Sequence, residues 1–163
     1  MSGEALGGKR ATRKEIEEIL DVLHSLGFEE HCQEYEVCGS YRRGKLDSGD
    51  VDIVIIPKAS FADWFDNLKL KKRYGHFSNN ILINGVQVDF FLCDKTSYPC
   101  AVMTWTGSRG FNMIMRGKCY KAGYVYTRHG IYDSKTKKLI TGIITEFDIF
   151  NLISMKYVEP KDR

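Results

Sequence analysis

No apolar run in the 163-residue chain approaches the length of a bilayer-spanning helix, so no membrane partner is expected. Residues 1–8 are small and polar and lack the apolar centre of a secretion signal. A flexible tail is expected over residues 1–11. The cysteines, at 32, 38, 93, 100 and 119, include no Cys-x-x-Cys pair, which removes the usual zinc spacing. Their odd, irregular set does not suggest a disulfide framework, and a reducing intracellular compartment fits best. Cys93 and Cys100 could bridge only if the fold brought them together. No strong charge of one sign is present either: 24 Lys and Arg against 21 Asp and Glu leave +3. Net charge alone is therefore a weak argument for nucleic acid. Lys69, Lys71, Lys72 and Arg73 form one basic run, and Lys135, Lys137 and Lys138 another. Each reads equally as a solvated loop or as a nucleic-acid contact. There is no internal repeat, low-complexity segment or long linker. With 43% hydrophobic residues, the chain reads as globular.

What is present is most informative at Asp50 and Asp52. Residues 51–56 (Val-Asp-Ile-Val-Ile-Ile) form an apolar, β-branched run ended by Pro57, which predicts a buried strand. Side chains alternate across a strand, so Asp50 and Asp52 share one face, and Val51, Ile53 and Ile55 the other. Like charges this close repel unless a cation lies between them. Mg²⁺ is the natural cation for carboxylates that work on phosphates. Just upstream, Gly39-Ser40-Tyr41-Arg42-Arg43-Gly44 supplies small residues, a hydroxyl and cations suited to a triphosphate. Together these features point to nucleotidyl transfer by two metal ions.

The other elements follow from local signals. Thr12 and Glu15 form a capping box ahead of Ile16, Ile19, Leu20, Leu23 and Leu26 at helical spacing, and Gly27 ends that helix. A short strand is expected over residues 35–38, and a turn or short helix over 42–45. Ser60 and Asp63 mark a helix over 61–68. Residues 73–79 and 81–92 read as strands, with one turn at Asn79-Asn80 and a second at Asn84-Gly85. A helix over 98–105 breaks at Thr106-Gly107-Ser108. Ser108 then caps a helix over 109–121 that Gly123 ends. Short strands are expected at 124–126, 131–132 and 138–140. Thr145 and Asp148 cap a last helix carrying Phe147, Phe150 and Ile153.

Two features admit a sharp and a bland reading. Asp89 is an acid in the apolar strand Val86-Gln87-Val88-Asp89-Phe90-Phe91-Leu92, where an unpaired carboxylate is costly. It is a third metal ligand or a capped structural residue. On the 109–121 helix, Arg109, Asn112 and Arg116 share a face opposite Phe111, Met115, Ile114 and Cys119. That face meets solvent, or it meets phosphates and base edges.

Taken in order, these motifs resemble the family X DNA polymerases over residues 12–163. Gly39 to Gly44 with Gly49-Asp50-Val51-Asp52 is similar to the family's nucleotide-binding and catalytic signature. Val88-Asp89-Phe90 is similar to the strand of its third aspartate. Trp105-Thr106-Gly107-Ser108 with Asn112 and Arg116 resembles the hinge and first helix of its thumb. The segment from Asp148-Ile149-Phe150 to Glu159-Pro160-Lys161-Asp162-Arg163 resembles the family's closing segment. The resemblance implies an α+β fold: a nucleotidyltransferase palm with a mixed β-sheet (12–104) plus a small α/β thumb (105–163). It implies that Asp50 and Asp52 bind two Mg²⁺ ions, Mn²⁺ substituting, and that Asp89 binds the one beside the primer 3′ oxygen. Ser40 and Arg43 would hold the β- and γ-phosphates, with Gly39 and the backbone near Gly49 assisting. Thr104, Trp105 and Gly107 would flank the sugar, Asn112 the minor-groove edge of the base, and Arg116 the template. The implied substrates are gapped or primer–template DNA and a dNTP, the implied protein a monomer acting in DNA repair.

Three departures modify that expectation. Only about 35 residues precede the first motif, leaving no room there for the family's lyase and helix-hairpin-helix domains. No lyase activity and weak processivity are expected. Thr104-Trp105 replaces a pair whose tyrosine crowds a ribose 2′-hydroxyl, so weak sugar discrimination and use of rNTPs are expected. Arg109 stands where the family has an acid, placing a cation near the incoming nucleotide, and Gln87 where many members have an arginine. Competing readings are a template-independent or RNA-tolerant nucleotidyltransferase and a binding module that kept the fold. No long loop before the thumb resembles the one that blocks template in template-independent members, and the three intact acids oppose the binding module.

Overall fold

A computed structural model describes residues 8–163. The chain begins with β1 (Ala11–Thr12), which pairs with β3 (Asp47–Ser48). Ala11 is fully buried, one residue inside the tail expected over 1–11. Residues 1–7 of that tail lie outside the described residues. Helix α1 (Arg13–Ser25) starts at the expected Thr12–Glu15 capping box and buries Ile16, Ile19 and Leu23. Gly27, at φ 76°, turns the chain out of it.

Strands β2 (Cys32–Val37), β4 (Asp50–Pro57), β5 (Lys72–Tyr74), β6 (Asn79–Ile83) and β7 (Val86–Leu92) form one sheet in the order β2-β4-β7-β6-β5. Only β4 and β7 run parallel, so the sheet is mixed and the fold is α+β. Alternation along β4 buries Val51, Ile53 and Ile55 with Ile81, Val88 and Phe90 under α1 and α3 (Phe61–Asn67). Each such side chain contributes about 1.5–3 kcal/mol on burial. Val54 and Phe91, on the other face, pack with Ala101 and Val102 of α4 (Tyr98–Thr106). Beyond α4 lie α5 (Arg109–Lys121), the hairpin β8 (Tyr124–Thr127) and β9 (Gly130–Asp133), and α6 (Glu146–Leu152). Met103, Met115, Cys119, Ile131 and Phe150 form their core.

Several local expectations change. The turn or short helix expected over 42–45 begins earlier, as a one-turn helix, α2 (Gly39–Arg42). The turn expected at Asn79-Asn80 lies instead at residues 75–78, closed by the Gly75 N–H donating to the Ser78 carbonyl at 2.8 Å. Asn79 and Asn80 begin β6, because the buried Asn80 amide bonds to Asp89. The second turn stands: Asn84 (φ 51°) and Gly85 (φ 79°) join β6 to β7. Ser60 does not cap α3; its hydroxyl meets His31 Nδ1 at 2.8 Å. The strand expected at 138–140 reduces to a single bridge from Leu139 to Tyr132. Ile114 and Phe147 are exposed, and Ile149 takes the buried position on α6. All five cysteines are free thiols, and Cys93 and Cys100 pack in different clusters. Burial pushes both thiols up to about 12, which keeps them protonated and unreactive. Among the described residues no helix is long and apolar enough to cross a membrane.

Candidate active site

Parallel pairing of β4 with β7 places Asp50 opposite Gln87 and Asp52 opposite Asp89. The third acid thus arrives beside the first pair by strand register. One carboxylate oxygen from each of Asp50, Asp52 and Asp89 lies within 4.8 Å of the others. Three acids held this close suit hard divalent cations. Burial, and then the charges of Asp50 and Asp89, hold Asp52 well above the ordinary carboxylate range, with Arg43 opposing. Burial also raises Asp50, against Arg10. It raises Asp89 too, although hydrogen bonds from Gln87 and Ser78 favour its ionised form.

Asp89 is therefore no unpaired strand acid. Gln87 Nε2 donates to both its oxygens at 3.0 Å, Ser78 Oγ donates at 3.1 Å, and the Asn80 amide also donates. Those partners fix the carboxylate's orientation and leave it available to a cation. At Gly39, φ is 60°, and a Cβ would collide with Asp52 Oδ2. Only glycine lets the Gly39-Ser40 backbone approach the acids this closely. Ser40 Oγ donates to Ser48 Oγ at 2.5 Å. Gly49 precedes β4 and lies against Arg10, outside the cleft lining.

Asp50 and Asp52 open into a cleft of about 920 Å³. Gly39, Ser40, Arg43, Asp50 and Asp52 form one wall; Thr104, Trp105, Gly107, Arg109, Asn112 and Arg116 form another. Ser108 Oγ accepts from the Phe111 N–H and starts α5 as expected, which aims Arg109, Asn112 and Arg116 into the cleft. Arg43 Nη1 donates to the Thr106 carbonyl at 2.7 Å, linking the first motif to this second wall. Trp105 stacks on Phe91, with ring centroids 3.7 Å apart. The Thr104 carbonyl accepts from Asn112 Nδ2 at 2.7 Å, and its hydroxyl meets Tyr126 Oη at 2.7 Å. Among the described residues Arg43 Nε and Asn112 Oδ1 are buried without a partner. Such orphaned groups cost about 1–3 kcal/mol each, and a ligand in the cleft would satisfy them.

Sequence reasoning missed the contribution of β8 and the turn after it, where Tyr126, Thr127, Arg128 and His129 line the cleft with Met113 of α5. No local pattern marks them; their place depends on how the hairpin packs on α4 and α5. Neither basic run lines the cleft. Lys72 Nζ donates to the Phe65 carbonyl at 2.9 Å and Lys137 Nζ to that of Ser134 at 2.6 Å, so these two lysines serve local structure.

The family model for the DNA polymerase beta palm matches residues 10–116, and that for the DNA polymerase beta thumb matches residues 101–163. DNA polymerase lambda of Rattus norvegicus is 26% identical over 162 residues, covering 77% of this chain and 28% of that protein. DNA nucleotidylexotransferase of Xenopus laevis is 32% identical over 128 residues, covering 73% of this chain and 24% of that protein. The chain thus spans about a quarter of the length of the curated relatives it matches. With both subdomain models satisfied, and their acids and arginines meeting in one cleft, the chain belongs to the polymerase beta family of nucleotidyltransferases, family X.

Proposed function

We propose that the protein is a template-directed DNA polymerase that fills short gaps by two-metal nucleotidyl transfer. The observation that carries this reading is the in-register triad of Asp50, Asp52 and Asp89, of which Asp50 and Asp52 line the same cleft as Asn112 and Arg116. Asp50 and Asp52 would hold both ions and Asp89 the one at the primer end. The chemistry Mg²⁺ would supply there is a lowered pKa for the primer 3′-hydroxyl and neutralisation of the triphosphate and departing pyrophosphate. Ser40 and Arg43 orient the β- and γ-phosphates, and the Arg109 cation favours the same anion. Asn112 reads the minor-groove edge of the base, and Arg116 holds the template strand. Residues 12–104 then act as palm and 105–163 as thumb, in a monomer that works on gapped DNA inside the cell.

The test is extension of a primer across a one-nucleotide gap, compared with the same primer lacking template. Template-dependent incorporation is expected. Equal extension without template would favour the second reading, a template-independent transferase, which the likeness to a nucleotidylexotransferase supports.

Weak sugar discrimination rests on Thr104, whose short side chain lies at the cleft wall beside Trp105. Thr104→Tyr is expected to raise the preference for dNTP over rNTP about tenfold, equal to about 1.4 kcal/mol. The ratio of kcat/KM for the two sugars measures it, and an unchanged ratio would sink the idea.

A further inference from the structure

One contact joins the cleft lining to the palm sheet. Arg128, in the turn between β8 and β9, holds its guanidinium 4.6 Å from the centre of the Phe77 ring. Phe77 belongs to the palm turn at residues 75–78 and is 59% exposed. His76 packs edge-on against it at 4.7 Å. The next residue, Ser78, is bonded to Asp89, so the turn that carries Phe77 is anchored to the acid triad. Arg128 itself lines the cleft. Among the described residues Arg109, Arg116 and Arg128 form no ion pair, although all three face the same space. Cations gathered in this way repel one another and attract a polyanion.

We propose that Arg128 is a nucleic-acid contact held in reserve by Phe77. In the free protein the pair clasps the palm turn to the thumb hairpin across the path of the DNA. When a strand enters, a phosphate takes the guanidinium from the ring and the clasp opens. The exchange is favourable because an exposed cation–π contact is weak, whereas a charge-assisted bond to phosphate is strong. DNA as the partner rests on the polymerase reading above; the clasp itself rests on the Arg128–Phe77 geometry.

The test uses the whole chain and a fluorescent one-nucleotide-gapped duplex, read by stopped-flow association and by anisotropy over a salt series. Phe77→Ala removes the clasp and spares Arg128. It is expected to speed association and tighten binding by about two- to five-fold, the size of an exposed cation–π contact, with an unchanged salt slope. Arg128→Ala removes clasp and phosphate contact together. It is expected to weaken binding and to lower the slope of log affinity against log salt by about 0.9, the value for one phosphate. The opposite signs matter, because a merely structural loss would weaken both variants. Weaker or unchanged binding by Phe77→Ala would overturn the clasp, the former assigning Phe77 as a stacking platform for a base. Failure of the wild-type protein to bind the duplex at all would overturn the polymerase reading together with the clasp.

Discussion

Asp50→Asn is expected to lower nucleotide incorporation at least about a thousandfold, about 4 kcal/mol of transition-state stabilisation. The substitution keeps the shape of the side chain and removes one charge from a cluster whose carboxylate oxygens lie within 4.8 Å of one another. Without metal, burial and mutual repulsion favour protonation: Asp50, Asp52 and Asp89 are all raised above the ordinary range. A native state that holds protons more tightly than the unfolded chain loses stability as pH rises through the raised values. The metal-free wild type is therefore expected to become less stable between the ordinary carboxylate range and neutrality. Mg²⁺ is expected to reverse that trend by replacing the protons. Asp50→Asn removes one source of repulsion on Asp52 and one ligand together. Metal-free Asp50→Asn should thus melt higher than wild type at pH 7, with most of the Mg²⁺-dependent rise lost. Single-turnover incorporation and thermal melts with and without Mg²⁺ check both parts. Retained incorporation would refute the metal assignment, and an unchanged Mg²⁺ response would do so independently of activity.

Glu146→Ala is expected to destabilise the protein by about 3–5 kcal/mol, the usual cost of removing one partner from a buried ion pair. At this chain length that lowers Tm by about 10 °C. Glu146 is buried at the start of α6 and receives two arginines. Arg42 donates to its two oxygens at 2.8 and 2.9 Å, and Arg163 at 2.9 and 3.3 Å. The Arg163 side chain is fully buried, beneath Phe111, Phe150 and Tyr157. Arg42 also donates to Thr106 Oγ1 at 2.9 Å. Glu146 therefore joins the first motif of the palm to the last helix of the thumb through Arg42, the chain neighbour of Arg43 in the cleft. Burial opposes its charge, but the hydrogen bonds from Arg42 and Arg163 outweigh burial and hold its carboxyl below the ordinary range. Stability from this group is fully present above the ordinary carboxylate range and is lost as pH falls through the lower, folded value. The gap in Tm between wild type and Glu146→Gln should accordingly narrow in acid. A gap independent of pH would show that lost packing, not charge, sets the effect.

Much of the candidate site was legible before the fold. The Asp50–Asp52 face, the cap at Ser108 and the polar face of α5 rest on intervals of two to seven residues. Periodicity and capping act within one element, so they leave a local trace. Asp89 was legible as a costly acid in an apolar strand, but its role stayed open. Asn79-Asn80 was misread because turn propensity is a local preference, and the buried bond from Asn80 to Asp89 outweighs it. Ile114 and Phe147 were misplaced because apolar character alone does not say which side of a short helix meets a neighbour.

Local chemistry in the chain was enough to specify most of the element types, the carboxylates on β4 and the Gly39-Ser40 motif ahead of them, whereas the α+β class was implied by the family resemblance. Interaction among elements was needed for the rest. It settled that β4 and β7 run parallel with Asp52 opposite Asp89, that Glu146 gathers Arg42 and Arg163, and that Arg128 reaches Phe77. Each of these joins residues far apart in the chain. Strand register and hairpin placement minimise the free energy of the whole core, to which every buried side chain contributes. No short window of sequence contains that sum.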